Sequence, residues 1–187
     1  ELGFVKFLAD SRRALARALG LPPEAVEEDP SLGDAWRAIR VDLDGPITAR
    51  TTEQAQRMIQ EQLERNDVNF IGVGIDRPGG SPVNSLALAN FLADLDPREV
   101  RTVALISKEA EADAAFIALG CDQIVLTEEA TFGGGWSAVG LEEGDAKLYG
   151  VSVADLAMRK GRSPGLAAAL VDPETSVFEY RRVRDGL

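Results

Sequence analysis

The stretch Phe70-Ile71-Gly72-Val73-Gly74-Ile75-Asp76-Arg77-Pro78-Gly79-Gly80-Ser81-Pro82 decides the fold. Its first six residues are apolar or glycine throughout, as expected of a strand covered on both faces in a parallel sheet. Asp76 to Gly80 is a turn, and Ser81 with Pro82 supplies an N-cap and a first helical residue for an apolar helix from about Val83 to Leu95. Asp96-Pro97 ends that helix. A glycine-rich turn between a buried strand and a helix is where an α/β fold opens its ligand crevice. Two successive glycines let the chain turn sharply and bare N–H groups that can hold a developing oxyanion. A turn that needs glycine for positive φ alone has the same local pattern, so both alternatives stand at this point.

Working outward, Ala38 to Leu43 reads as a strand and Gly45-Pro46 as a turn, with a capping box formed by Thr51 and Gln54. The helix that follows places Ala55, Met58, Ile59 and Leu63 on one face. Beyond the central stretch, Val100 to Ile106 is a third strand, Glu109 to Leu119 a third helix and Gln123 to Leu126 a fourth strand. Strand and helix alternate with short connections, which predicts α/β architecture, with a mostly parallel sheet built from successive right-handed βαβ units. Phe132 to Trp136 and Gly140 to Gly144 read as loops. Val151 to Lys160 and Pro164 to Leu170 read as helices, and Ser176 to Tyr180 as a last strand. Residues 1–37 differ from the rest: Phe4, Phe7, Leu8, Leu15, Ala16 and Leu19 alternate with Lys6, Arg12, Arg13 and Arg17 in an amphipathic pattern that Gly20-Leu21-Pro22-Pro23 stops. They form an expected N-terminal helical appendage to a domain spanning 38–187.

The chain has 187 residues, of which 45% are hydrophobic and 27% charged, enough for one core and too few for a second full domain. Its net charge of −11, with arginines scattered, argues against nucleic acid as a partner. No apolar run reaches the roughly 18 residues of a membrane span. Beginning on Glu1 and ending on Leu187, the chain is expected to be a piece of a longer protein. One cysteine, Cys121, excludes an internal disulfide, and its apolar surroundings predict a buried, inert thiol. The chain has no histidine. Ser-His-Asp and Cys-His catalysis and the usual zinc sites are therefore excluded, no metal or other cofactor is expected, and acid–base work falls to Asp, Glu, Lys or Tyr.

An ordered set of motifs points further. Asp76-Arg77-Pro78-Gly79-Gly80 is followed by Ala112-Asp113-Ala114-Ala115-Phe116-Ile117-Ala118-Leu119, then by Asp155-Leu156-Ala157-Met158-Arg159-Lys160-Gly161-Arg162 and Val171-Asp172-Pro173. In order and spacing, from about Arg40 to Glu179, the chain resembles the ClpP-class serine peptidase domain of the NfeD type, related to SppA signal peptide peptidases. The resemblance implies a ClpP/crotonase-like fold. In that family a serine at the start of the third helix attacks a peptide carbonyl, a lysine from a later helix acts as base, and the glycine turn stabilises the oxyanion. Such a pair works without histidine, because burial can keep a lysine neutral.

Carried onto this chain, the serine position is Ala112 and the lysine position Ala154, while Gly79, Gly80 and Asp113 fall in the oxyanion and peptide-binding region. Asp113 and Ala114 stand where the family has alanine and glycine, so the region differs at more than the two alanines. Glu109, Glu111 and Asp113 are expected to form an acidic, solvated first turn of the third helix. The leading expectation is a catalytically inactive pseudo-peptidase acting in peptide binding or assembly. One alternative is an active serine endopeptidase with a relocated Ser/Lys dyad drawn from Ser107, Ser81 and Lys147. Another is a crotonase-like acyl-CoA enzyme using Glu109, Glu111 or Glu142 as base. Expected partners are a peptide or protein segment and further copies of the chain, as a dimer or larger homo-oligomer. The resemblance also implies a membrane-associated bacterial parent with this domain on the extracytoplasmic side.

Overall fold

Strand, turn and helix follow one another across the central stretch in the computed structural model of the chain, which describes residues 36–43, 45–136, 143–172 and 174–178 together with Ala14 and Arg17. The remainder of the expected N-terminal appendage lies outside the described residues. In chain order the elements are β1 (Ala38–Asp42), α1 (Ala49–Asn66), β2 (Phe70–Gly74), α2 (Pro82–Ala93), β3 (Arg101–Ile106) and β4 (Glu109–Ala110). They continue as α3 (Ala114–Gly120), β5 (Gln123–Leu126), β6 (Thr131–Phe132), α4 (Glu143–Arg159) and α5 (Pro164–Ala169).

β1, β2, β3 and β5 form one parallel sheet in that order. β2 is an inner strand and buries every residue after Phe70, so its apolar run has no polar face. Ala38 pairs with Phe70, and Phe70 in turn with Arg101. Trp36 docks its ring on Phe70 in an edge-on contact 5.2 Å between centroids. One core unites the sheet with α1 and α2 through Val41, Ile59, Ile71, Val73, Leu88 and Ile106. A second lies among helices: Ala89 of α2, Phe116 and Leu119 of α3, Val153 and Leu156 of α4, and Ala167 of α5.

Several boundaries differ from the sequence expectation. Thr48, extended at φ −134°, is the N-cap of α1, and the capping box joins Thr48 and Thr51 instead of Thr51 and Gln54. The helix begins three residues earlier than expected, so Thr51 stands at N3 and Thr48 takes the N-cap position. Met58 is 41% exposed, at the flank of the buried stripe carried by Ala55 and Ile59. The third helix begins at Ala114, because Glu109 and Ala110 pair with Thr131 and Phe132 as strands β4 and β6. Thr131 and Phe132 are therefore strand, while Trp136 is held by an indole N–H bond to the Leu170 carbonyl at 2.6 Å. α4 starts well before Val151, since Ala146 and Tyr149 extend the face that buries Val153, Leu156 and Ala157. Residues 176–178 form no strand; Glu179 and Tyr180 lie outside the described residues.

Between α3 and β5 the chain is tied to the end of α4. Lys160 and Asp122 form an ion pair at 2.7 Å with side chains only 5% and 7% exposed. The Arg162 guanidinium donates to the carbonyls of Leu119, Cys121 and Asp122. Cys121 is fully buried there, and burial, reinforced by the Asp122 charge, pushes its thiol from 9.0 up to about 12. A thiol raised in the folded state favours the fold below its unfolded pKa and loses that contribution as pH rises toward the folded one. We expect native protein at pH 8 not to react with a disulfide dye and unfolded protein to react fully. Rapid labelling of the native state would contradict the burial.

Candidate active-site cleft

The turn after β2 is built by two long-range polar ties. Asp76 accepts N–H bonds from Ser107 (2.8 Å) and Lys108 (2.7 Å), which fixes the loop after β3. Burial pushes this carboxyl up, but the backbone bonds, the Ser107 hydroxyl and the Lys108 charge together bring it below its ordinary 3.8. Arg77 forms a parallel bridge to Ala110 and donates its side-chain Nε–H to the Leu43 carbonyl. The chain then passes through Gly79 at φ +106°, and a Cβ there would sit 2.5 Å from Asp113 Oδ1. At Gly80 a Cβ would meet backbone atoms of Ile47 at 2.7 and 2.9 Å. Both glycines are needed, the first for conformation and approach, the second for approach alone.

Across from this turn, Ala112 has φ 44°, a left-handed conformation that costs a non-glycine residue about 1 kcal/mol or more. Its N–H donates to the Gly134 carbonyl at 2.7 Å, so the strain is held by the segment that follows β6. Ala112 is 1% exposed, and its methyl group lies 3.3 Å from where a Gly79 Cβ would be.

Asp113 follows, fully buried. It occupies the N-cap position of α3 but does not cap that helix with its side chain. Its carboxylate instead reaches the N-terminus of α2. Gly80 N–H donates to Oδ1 (3.0 Å) and Oδ2 (3.2 Å), Ser81 N–H to Oδ2 (3.1 Å), and the Ser85 hydroxyl to Oδ2 (2.6 Å). Ser85 is fully buried as well. The positive end of the α2 dipole and charge-assisted hydrogen bonds balance the buried charge. Among the described residues no buried side-chain N or O atom lacks a partner.

The expected solvated acidic turn is thus not what forms. Glu109 belongs to β4, Glu111 accepts from the Thr131 hydroxyl at 3.2 Å, and Asp113 faces inward because α2 offers it N–H groups that water would otherwise have to match. Ser81 is the N-cap of α2 by position, yet its hydroxyl takes the Asn84 amide (2.7 Å) and makes no capping bond. Ser107 is exposed, and its carbonyl accepts from the Thr127 hydroxyl. Lys147 is exposed on α4 and pairs with Glu174 at 3.1 Å. Ser107, Ser81 and Lys147 therefore engage separate partners. Glu142 lies outside the described residues.

Ala154 is half-buried on α4. Tyr149 of α4, which sequence reasoning missed, packs on α3 close after Asp113 in the chain. Its ring packs on Phe116 at 5.9 Å, and Phe116 also packs on Trp136 at 5.4 Å. Burial raises the Tyr149 phenol, with further contributions from Asp145 and Asp113. The available signal was an aromatic residue one helical turn before the buried Val153. Chemically, the arrangement holds one anion firmly and places a methyl group, not a nucleophile, beside it.

No family model and no curated protein matches the chain. Among solved structures it is similar to a membrane-bound stomatin-specific protease in a lysine-to-alanine variant in complex with a substrate peptide, at 19% identity and TM-score 0.59, over 73% of this chain and 65% of that one. It is also similar to a serine-to-alanine variant of a membrane-bound stomatin-specific protease, at 16% identity and TM-score 0.53, over 73% and 69% of the two chains. At these identities the likeness is one of fold, and the chain spans 65% of the length of the first protease structure. The chain has the mostly parallel α/β architecture of the ClpP/crotonase-like fold, as the motif resemblance implied.

Proposed function

We propose that the chain is an NfeD-type, ClpP-class serine-peptidase-like domain that does not cleave peptides and acts in peptide binding or assembly. The observation that carries this is the Asp113 carboxylate lying against the N–H groups of Gly80 and Ser81, beside the methyl group of Ala112.

Acyl transfer needs a nucleophile, a base and donors free to receive the oxyanion. At the position of the family serine there is no hydroxyl to attack, and at the position of the family lysine there is no amine to accept a proton. The donors are already bound to a carboxylate. A second negative charge roughly 3.5 Å from it would be opposed by about 5 kcal/mol at an effective dielectric near 20. The same opposition applies to a thioester oxyanion, which weighs against acyl-CoA chemistry. Peptide binding does not require the missing groups: the stomatin-specific protease of similar fold is found with a substrate peptide in its lysine-to-alanine form. We extend the proposal to a self-associating domain on the extracytoplasmic side of a bacterial membrane. Among the described residues no helix is long and apolar enough to cross one.

Fluorogenic apolar peptides and casein are expected to remain uncleaved, and a serine-directed fluorophosphonate is expected to leave the protein unlabelled. Turnover, or a label mapped to a single serine, would overturn the inactive assignment. A fluorescent apolar peptide should bind saturably by anisotropy, or light scattering should show a dimer or larger. A monomer that binds no peptide would sink the proposed role.

A further inference from the structure

Two helix starts in this domain carry residues suited to local capping, and neither uses them so. Ser81 at the start of α2 turns its hydroxyl to Asn84, and Asp113 at the start of α3 leaves its own helix uncapped. The N–H groups of Gly80 and Ser81 that lead into α2 are met from 33 and 32 residues away, and the Ser85 hydroxyl from 28, by one carboxylate with both oxygens engaged. Oδ2 alone accepts from two backbone N–H groups and the Ser85 hydroxyl, at 2.6 to 3.2 Å. Gly79 clears the space this requires, since any Cβ there would strike the carboxylate.

We infer that Gly80 N–H, Ser81 N–H and the Ser85 hydroxyl form an anion cradle whose built-in occupant is the Asp113 carboxylate, an intramolecular contact that keeps small carboxylates from solution out. The inference deepens the proposed function and rests on it only for the identity of the cleft. The cradle is fully formed and matched to a planar, singly charged group. Two of its three donors are backbone N–H groups of the glycine turn, where Gly80 lies close against the Ile47 backbone, and the third is the hydroxyl of fully buried Ser85, so they stay in place when the aspartate side chain is removed. A carboxylate supplied from solution then has the same partners as the one deleted.

The test is chemical rescue of Asp113→Ala, which leaves a space the size of formate. The variant is expected to melt several degrees below the natural protein. Sodium formate should raise its Tm in a saturable way, as binding to the folded state alone requires, while sodium chloride at equal ionic strength should not. The natural protein, with its cradle occupied, should respond to formate no more than to chloride. An Asp113→Ala protein that folds but gains nothing from formate over chloride overturns the inference, as does an equal gain in the natural protein. Should Asp113→Ala not fold, Asp113→Asn decides: it keeps the shape and loses the charge, so it should melt below the natural protein, and an unchanged Tm would reduce the contact to a matter of shape. Turnover by the natural protein bears on the proposed function, while the formate response bears on this inference.

Discussion

Lys160→Met is expected to destabilise the domain by about 3–5 kcal/mol, the usual cost of removing one partner from a buried ion pair. The magnitude follows from the surroundings of Asp122. Its Oδ1 bonds the Lys160 ammonium at 2.7 Å, while Oδ2 accepts the Thr102 N–H (2.7 Å) and hydroxyl (2.9 Å). Without Lys160 the carboxylate keeps two neutral donors and loses its bonded cation in a place water scarcely reaches. Arg162 is committed to three carbonyls of the same turn and is not free to swing across. For a chain of this size the loss corresponds to a fall in Tm of order 10 °C. Thermal unfolding followed by circular dichroism would measure it. The double variant Lys160→Met/Asp122→Asn should lose less than Lys160→Met alone, because it leaves no unpaired charge. A single variant within about 1 kcal/mol of the natural protein would show that the pair is not sealed from solvent. The consequence reaches the candidate site, since this pair anchors the end of α4, the helix whose Tyr149 packs on Phe116 of α3.

Gly120→Ala is expected to cost about 3 kcal/mol, the upper end for overpacking. A methyl group at Gly120 would stand 2.3 Å from the Ala89 carbonyl oxygen, 2.8 Å from its Cα and 2.9 Å from its carbonyl carbon. These are backbone atoms in the middle of α2, so no rotamer change relieves the contact and α2 must move away from α3. At the other end of the same helix pair Asp113 bridges from α3 to Gly80 and Ser81. Separation should therefore loosen those bonds, and the amides of Gly80 and Ser81 should exchange with deuterium faster in the variant. Gly165→Ala is the control: a Cβ there meets nothing within 4 Å, and alanine favours a helix, so Tm should hold or rise slightly. Equal Tm values for the two variants would refute the close approach of α2 and α3.

Much of the framework was legible in order along the chain. The apolar run from Phe70, the turn at Asp76 to Gly80 and the Ser81-Pro82 helix start are signals carried by adjacent residues, and the strand expected at Gln123 to Leu126 forms with those limits. Where the expectation failed, the deciding partner was distant. Glu109 and Ala110 look helical beside the apolar residues that follow, but Thr131 and Phe132 supply strand partners more than twenty positions on. Thr51 looks like a cap until Thr48 is seen to be the last extended residue, with the helix already begun at Ala49.

The same division applies to the cleft. By itself the sequence determined that histidine is absent, that residues 112 and 154 are alanines, and that two glycines and an aspartate fall in the crevice segments. Each of these is a property of identity and local order. Only the tertiary structure decided what the aspartate does, turning Asp113 from an expected solvated helix start into the buried occupant of the N–H groups at Gly80 and Ser81. The physical reason is that a carboxylate goes where donors and a helix dipole balance its burial. Those donors belong to another helix, brought alongside by the packing of α2 on α3 at Ala89 and Gly120.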